Sequence, residues 1–182
     1  VLRLVELRGR RSRARITVIC SASVRHAGRS QQASRNGSTP TALSAGTCVG
    51  AVFDGRYVYF VPYAHSVAVR FDTRGEFGAE SSWEAYDAAG TTGLPCRGYD
   101  GAAFDGRYVY LVPFWDGSQG GGGFHAHLVR YDTRACFTDV QAWSAAAGAA
   151  LAPPNPGGFN GAVFDGRHLY MVPWRRNAAA SA

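Results

Sequence analysis

The sequence contains no lysine; all nineteen of its cationic Lys or Arg positions are arginine. Alongside abundant alanine and glycine, this reads as a compositional bias of a GC-rich coding sequence rather than arginine selected for bidentate contacts. Cysteine is also sparse. Cys20, Cys48, Cys96 and Cys136 form no C-x-x-C pair, so the usual metal-ligand spacing is missing and no metal is expected. Cys48 and Cys96 precede two copies of a repeat and are candidates for a disulfide, with free buried thiols the simpler reading. No apolar run approaches the ~20 residues of a membrane-spanning helix, so no membrane partner is expected. The longest short run, "RITVIC" at 15–20, is too brief for a secretory signal.

Acid is nearly absent from the first forty residues. They hold nine Arg and one Glu, a net +8, while the other 142 hold ten Arg and twelve acids, a net −2. The formal +6 therefore belongs to the beginning of the chain. Residues 1–46 are Arg- and Ser-rich, without a sustained hydrophobic period, and are expected to be a disordered basic tail. The same composition resembles an organelle transit peptide and a nucleic-acid-binding arm, and nucleic acid is expected, if at all, only through this tail. The chain begins with Val1 and its one methionine is Met171, so either an unusual start codon or a fragment of a longer protein is expected.

What the chain has instead is repetition. "GAVFDGRYVYFVP" at 50–62 recurs as "GAAFDGRYVYLVP" at 101–113 and "GAVFDGRHLYMVP" at 161–173. "VRFDT" at 69–73 recurs as "VRYDT" at 129–133. Phe77 and Trp83 match Phe137 and Trp143, and each Trp lies 18 residues before the next copy's Gly. The unequal spacing comes from one loop: Pro62 to Val69 is 7 residues, Pro113 to Val129 is 16.

Each unit reads as four short strands, A to D: "GAVFD", "RYVYFVP", "VAVRFDT" and "SSWEAYD" in the first. Asp54-Gly55, Asp105-Gly106 and Asp165-Gly166 are two-residue hairpin signals and are assigned as structural turns. Strand B is apolar on both faces, as in a sheet covered on both sides. Four-stranded antiparallel units of this length, small at strand A where inner strands crowd, are the pattern of β-propeller blades. A β-sandwich of tandem hairpins is the alternative, and the matched 18-residue spacing argues against it. The expected fold is all-β: a partial β-propeller over 47–182, with blades at about 47–88, 98–147 and 158–174. The first two are complete and the third is a single A–B hairpin.

"FDGRYVYFVP…VAVRFDT" resembles the YVTN-type and kelch-like bacterial propeller repeats, over residues 47 to 174. The chain departs from them in ending strand B with Val-Pro-aromatic (Tyr63, Phe114, Trp174) and in lacking the paired glycines of a kelch blade. The resemblance implies a propeller fold and a habit of binding, and no catalytic residue or cofactor.

Binding is expected on the rim where B–C and D–A loops meet, because variable loops on a repeated scaffold carry function. The insertion "FWDGSQGGGGFHAH" (114–127) lies there. Candidate ligand contacts are Asp100 and Asn160, at matched positions before strand A, Trp115, and the pair His125 and His127, whose spacing on an extended strand would also suit a metal. His65 lies on the shorter B–C loop. "GSQGGGG" lacks the lysine and following helix of a phosphate loop. Asp54, Asp105 and Asp165 have one identical turn role to fill, so they are not assigned as acid–base groups. The expected function is a binding scaffold for a protein, peptide or carbohydrate, completed by further blades from a longer chain or by oligomerisation. The alternative is a propeller enzyme, a hydrolase or lyase acting on a small or carbohydrate substrate.

Overall fold

The computed structural model describes residues 3–8, 13–18, 46–93, 96–116, 123–146 and 156–176. The chain divides into two compact units, Val1–Ser38 and Thr39–Ala182. The first contains β1 (Arg3–Arg8) and β2 (Arg13–Val18), paired antiparallel with Val5 opposite Ile16 and Glu6 opposite Arg15. Disorder was the expectation for 1–46, and these residues depart from it. The β-branched run Ile16-Thr17-Val18 favours extended backbone, and β1 precedes β2 by only a few residues of sequence. Residues 19–45 of that segment lie outside the described residues.

The second unit is all-β and antiparallel. One sheet runs in order β3 (Cys48–Phe53), β4 (Tyr57–Pro62), β5 (Val67–Asp72), β6 (Trp83–Asp87). The next repeats it with β7 (Tyr99–Phe104), β8 (Tyr108–Pro113), β9 (Leu128–Asp132) and β10 (Trp143–Ala146). A last hairpin pairs β11 (Pro156–Phe164) with β12 (Leu169–Arg176). Each four-stranded sheet is a meander whose spatial order follows the chain. Strand D was expected from Ser81, but Glu80–Ser82 and Val140–Ala142 are 3-10 turns, and the strands begin at Trp83 and Trp143. In the second of these turns the Asp139 carboxylate accepts the Gln141 N–H.

The repeated "FDGR" explains the first hairpin of every unit. Asp54 N–H donates to Tyr57 O, so Gly55 and Arg56 are the central pair, with Gly55 at φ 106°. The turn thus begins one residue later than the Asp-Gly pair suggests. Asp54 acts through its side chain: Oδ1 accepts the N–H groups of Arg56 and Tyr57, and Oδ2 accepts the Tyr59 hydroxyl at 2.6 Å. Asp105 does the same for Arg107, Tyr108 and Tyr110, and Asp165 for Arg167, His168 and Tyr170. Both oxygens of each aspartate are committed to the turn.

The "DT" ending strand C closes onto the same hairpin. Arg56 Nε and Nη2 both donate to Asp72 Oδ2, and Thr73 donates its N–H and hydroxyl to Arg56 O. Arg107, Asp132 and Thr133 repeat this clasp.

The two sheets pack face to face. Tyr59, Val61 and Ala68 of the first share one core with Val109, Leu111, Val129, Tyr131, Phe137 and Trp143 of the second. Tyr86 stacks on Trp143 at 4.4 Å and 10° between planes. Arg70 is buried in this seam, paired with Glu84, donating to Tyr131 Oη at 3.0 Å, and lying 4.0 Å over the Tyr57 ring. Burial weighs against its charge, but the Glu84 carboxylate outweighs it and keeps the guanidinium charged. Trp83, matched to Trp143, packs within its own sheet on Phe60, Phe71 and Phe77. A smaller core joins Val112 and Ala126 to Phe159 of the hairpin.

The strands nearest one another across sheets are β3, β7 and β11. Each pairs with its neighbour through an irregularity that inserts one extra residue, between Cys48 and Ala51, Tyr99 and Ala102, Phe159 and Ala162. Gly50, Gly101 and Gly161 sit in these bulges with φ of 72°, 95° and 82°. A Cβ on Gly50 would lie 3.6 Å from Gly101 Cα, and one on Gly101 2.8 Å from Gly161 Cα. The glycines therefore serve both the bulge and the approach of adjacent backbones.

Candidate functional site

At the end of strand B the repeated Pro is followed by an aromatic residue, and in the fold these three form a row. Tyr63 stacks on Phe114 (6.1 Å, 26°), and Phe114 meets Trp174 edge-on (6.2 Å, 64°). Phe124, from the far side of the insertion, packs on Phe114 at 5.4 Å. Trp174 is 58% exposed. Tyr63 and Phe114 are half-buried.

Hydrogen bonds root this row in the segments that lead into strand A of each sheet. Tyr63 N–H donates to Thr47 O and Phe114 N–H to Gly98 O, both at 3.0 Å. Gly98 N–H in turn donates to His65 O, so one D–A segment touches the B–C loops of both units. The insertion leaves the sheet over glycine: a Cβ on Gly98 would collide with Trp115 O, and one on Gly158 would lie 2.8 Å from Phe114 O. Both glycines hold positive φ, 75° and 68°. Trp115, half-buried, pairs its backbone with Phe124 across the neck of the loop, and Asp116 N–H donates to Gly123 O. Residues 117–122 of the insertion, and 94–95 and 147–155 of the D–A loops, lie outside the described residues.

His125 is placed differently from the rim-ligand role considered for it. It is buried, its Nδ1 accepts the His127 N–H at 3.2 Å, and its Nε2 lies 2.9 Å from Gly98 O. Nε2 therefore carries the proton, and neither ring nitrogen has a lone pair to offer a metal or ligand. Burial pushes its pKa down and keeps it neutral. His65 makes the matching clamp, Nδ1 to Val67 N–H and Nε2 to Thr47 O. His127 is half-buried, its ring 5.2 Å from that of His125, and among the described residues its Nδ1 has no hydrogen-bond partner. Among the described residues no three His, Cys, Asp or Glu side chains gather as a metal set.

Asp100 and Asn160 directly precede the glycines where β7 and β11 meet, so they flank one close approach of backbone. Asn160 is exposed. Asp100 is half-buried, makes no side-chain hydrogen bond among the described residues, and burial pushes its carboxyl up. Cys48, Cys96 and Cys136 are free thiols. The Cys96 thiol is buried beside the Tyr99 hydroxyl and donates to Thr91 O.

The chain matches no protein-family model and no curated protein.

The aromatic row was visible in the sequence only as three residues following Pro. Its signal was there: Tyr63, Phe114 and Trp174 each directly follow the repeated Val-Pro pair. The clamp pair was missed because the insertion hides the alignment of His65 with His125. Counting back from "VRFDT" and "VRYDT" instead puts both histidines four residues before the Val.

Proposed function

We propose that the Thr39–Ala182 unit is a β-propeller-type binding scaffold that holds a carbohydrate or peptide on the aromatic row Tyr63–Phe114–Trp174. The propeller reading is supported by serial four-stranded meanders, by sheets stacked face to face, and by strands A lying side by side through glycine. The resemblance to YVTN-type and kelch-like repeats is consistent with it. The observation that carries the binding reading is the row itself. Three ring systems from three successive units, spaced 6.1 and 6.2 Å, leave an apolar platform on one rim. Aromatic faces with polar edges suit sugar faces and peptide side chains. Asp100 and Asn160 supply polar groups on the neighbouring strands.

The enzyme alternative has no comparable support. The three repeated aspartates spend their oxygens on turns, and His125 spends both nitrogens on backbone. Calorimetric titration with panels of neutral oligosaccharides and unstructured peptides tests the proposal. Saturable binding that Trp174→Ala and Tyr63→Ala each weaken at least about fivefold, with melting temperature held, is the expected result. Binding indifferent to both substitutions overturns it.

A further inference from the structure

The Val1–Ser38 unit takes no part in the rim proposal, and it holds the densest charge in the chain. Five of the eight residues 8–15 are arginine, and Glu6 is the one acid in residues 1–40. The register of β1 and β2 sorts their residues onto two faces, because alternate residues of a strand share a side. Leu4 with Thr17, Glu6 with Arg15, and Arg8 with Arg13 are opposite pairs on one face. Arg3 with Val18, Val5 with Ile16, and Leu7 with Ala14 are opposite pairs on the other. One face of the ribbon is therefore mainly cationic and the other mainly apolar.

Arg8 opposite Arg13 is the pair that matters. Like charges placed directly across a ladder repel and cost stability. The intervening sequence Gly9-Arg10-Arg11-Ser12 adds two more cations, and Glu6, the nearest acid in sequence, stands opposite Arg15. A ribbon written this way spends stability to gather positive charge, and a polyanion laid along it relieves that cost.

We infer that the β1–β2 ribbon binds double-stranded DNA, entering the major groove with its arginines neutralising the flanking phosphates. Dimensions favour this partner. The major groove of B-DNA, about 12 Å wide, admits a two-stranded β-ribbon, whereas that of duplex RNA is too deep and narrow. Composition excludes the other polyanions. Residues 1–46 hold no Phe, Tyr or Trp, so they offer no stacking platform for single strands and no aromatic anchor for a membrane interface. Arginine, whatever compositional bias put it there, pairs bidentately with phosphate. The contact is to the backbone and so independent of base sequence. This inference goes beyond the rim reading and does not depend on it.

A short fluorescently labelled DNA duplex, titrated with the full chain and read by anisotropy, tests the inference. Saturable binding is expected, weakening about a hundredfold between about 50 and 200 mM salt as counterions are released. Arg8→Gln, Arg13→Gln and Arg15→Gln made together should weaken binding at least about tenfold. They should also flatten the slope of log K against log salt by about two to three. The matched triple Arg25→Gln, Arg29→Gln and Arg35→Gln removes the same charge outside the ribbon and should cost less than about threefold. Ile16→Pro keeps every charge but fixes φ near about −65°, against about −140° in an antiparallel strand, and should cost at least about fivefold. All seven positions lie outside the Thr39–Ala182 unit, whose melting temperature should not move and serves as the folding control. Equal losses from the two triples would reduce the contact to diffuse charge and overturn the ribbon. So would absence of saturable binding, an unaffected Ile16→Pro variant, or equal affinity for an RNA duplex of the same sequence. Binding to phosphatidylserine vesicles that the DNA duplex does not compete away would also overturn it.

Discussion

Gly101 and Gly161 meet backbone to backbone, so that a Cβ on Gly101 would stand 2.8 Å from the Cα of Gly161. Gly50 is less crowded, 3.6 Å from Gly101 Cα, and Gly161 has open space where its Cβ would be. All three share positive φ. The backbone cost of adding a side chain is therefore common to them, at about 1–2 kcal/mol, and the steric cost is not. Gly101→Ala should lose about 3 kcal/mol or more in urea unfolding, while Gly50→Ala and Gly161→Ala lose about 1–2. Equal losses at all three would mean that β7 and β11 are not in contact.

Removing the turn aspartate should depend on which copy loses it. Asp105 Oδ1 and Oδ2 hold three donors in a complete sheet, so Asp105→Ala should cost about 2–3 kcal/mol. Asp165 holds the same three donors in an exposed hairpin, where water replaces them, and Asp165→Ala should cost about 1 or less. Thermal unfolding of the two variants gives the comparison directly.

Those carboxylates also set the acid limit. Arg56 and Arg107 hold Asp72 and Asp132 below the ordinary carboxylate range. Burial pushes Asp105 up, but the Tyr108 N–H, the Tyr110 hydroxyl and the Arg107 N–H outweigh it, and backbone N–H groups lower Asp165. A folded-state pKa below the unfolded value means a contribution fully present above that unfolded value, about 3.9, and lost as pH falls further. Stability against urea should thus fall steeply below about pH 4, less steeply in Asp72→Asn.

A second, earlier acid limb comes from His125. Its folded pKa lies below the ordinary histidine value because burial and the neighbouring His127 disfavour the charge, against the pull of Gly98 O and Asp116. The unfolded chain takes up a proton that the folded chain refuses. Its contribution is intact above about pH 6.5 and is lost as pH drops toward the folded value. His125→Gln should flatten the loss of stability that sets in below about pH 6.5 while leaving the limb below pH 4 in place.

The strand order of both sheets was legible because each unit writes local, period-two apolar runs between marked turns. Strand ends were less so: Ser82 looks extended by composition, but the Ala79 carbonyl draws its N–H into a 3-10 turn. The repeated aspartate was assigned to the turn, yet its bond to the Tyr five residues on is invisible without the strand that brings them together. Arg70 illustrates the limit most clearly. On the strand it reads as a solvent-facing residue, and only the arrival of Tyr131 and Phe137 from the other sheet makes it a buried cation. At the rim, the polar candidates Asp100 and Asn160 were found by matched position, whereas the aromatic row depends on three separate units coming together.

Asp100 is the place where stability and binding should part. Its carboxyl is half-buried, has no hydrogen bond among the described residues, and is pushed up by burial. A raised folded-state pKa means that the ionised form is penalised in the fold, so at neutral pH the carboxylate costs stability that the neutral acid would not. Asn160 stands at the matched position of the next unit, which shows that an amide is accommodated there by the same backbone. Asp100→Asn should therefore raise stability by about 0.5–1 kcal/mol at pH 7. The gain should shrink as pH falls from the folded-state pKa toward about 3.9, because both states of the parent protein then become protonated. If Asp100 is retained for a ligand on the rim, the same variant should bind it more weakly while melting higher. Urea unfolding at pH 7 and pH 4, paired with titration of the ligand, reads both effects. A variant less stable than the parent at pH 7 would show that the carboxylate has a partner in the fold and is not held there for a ligand.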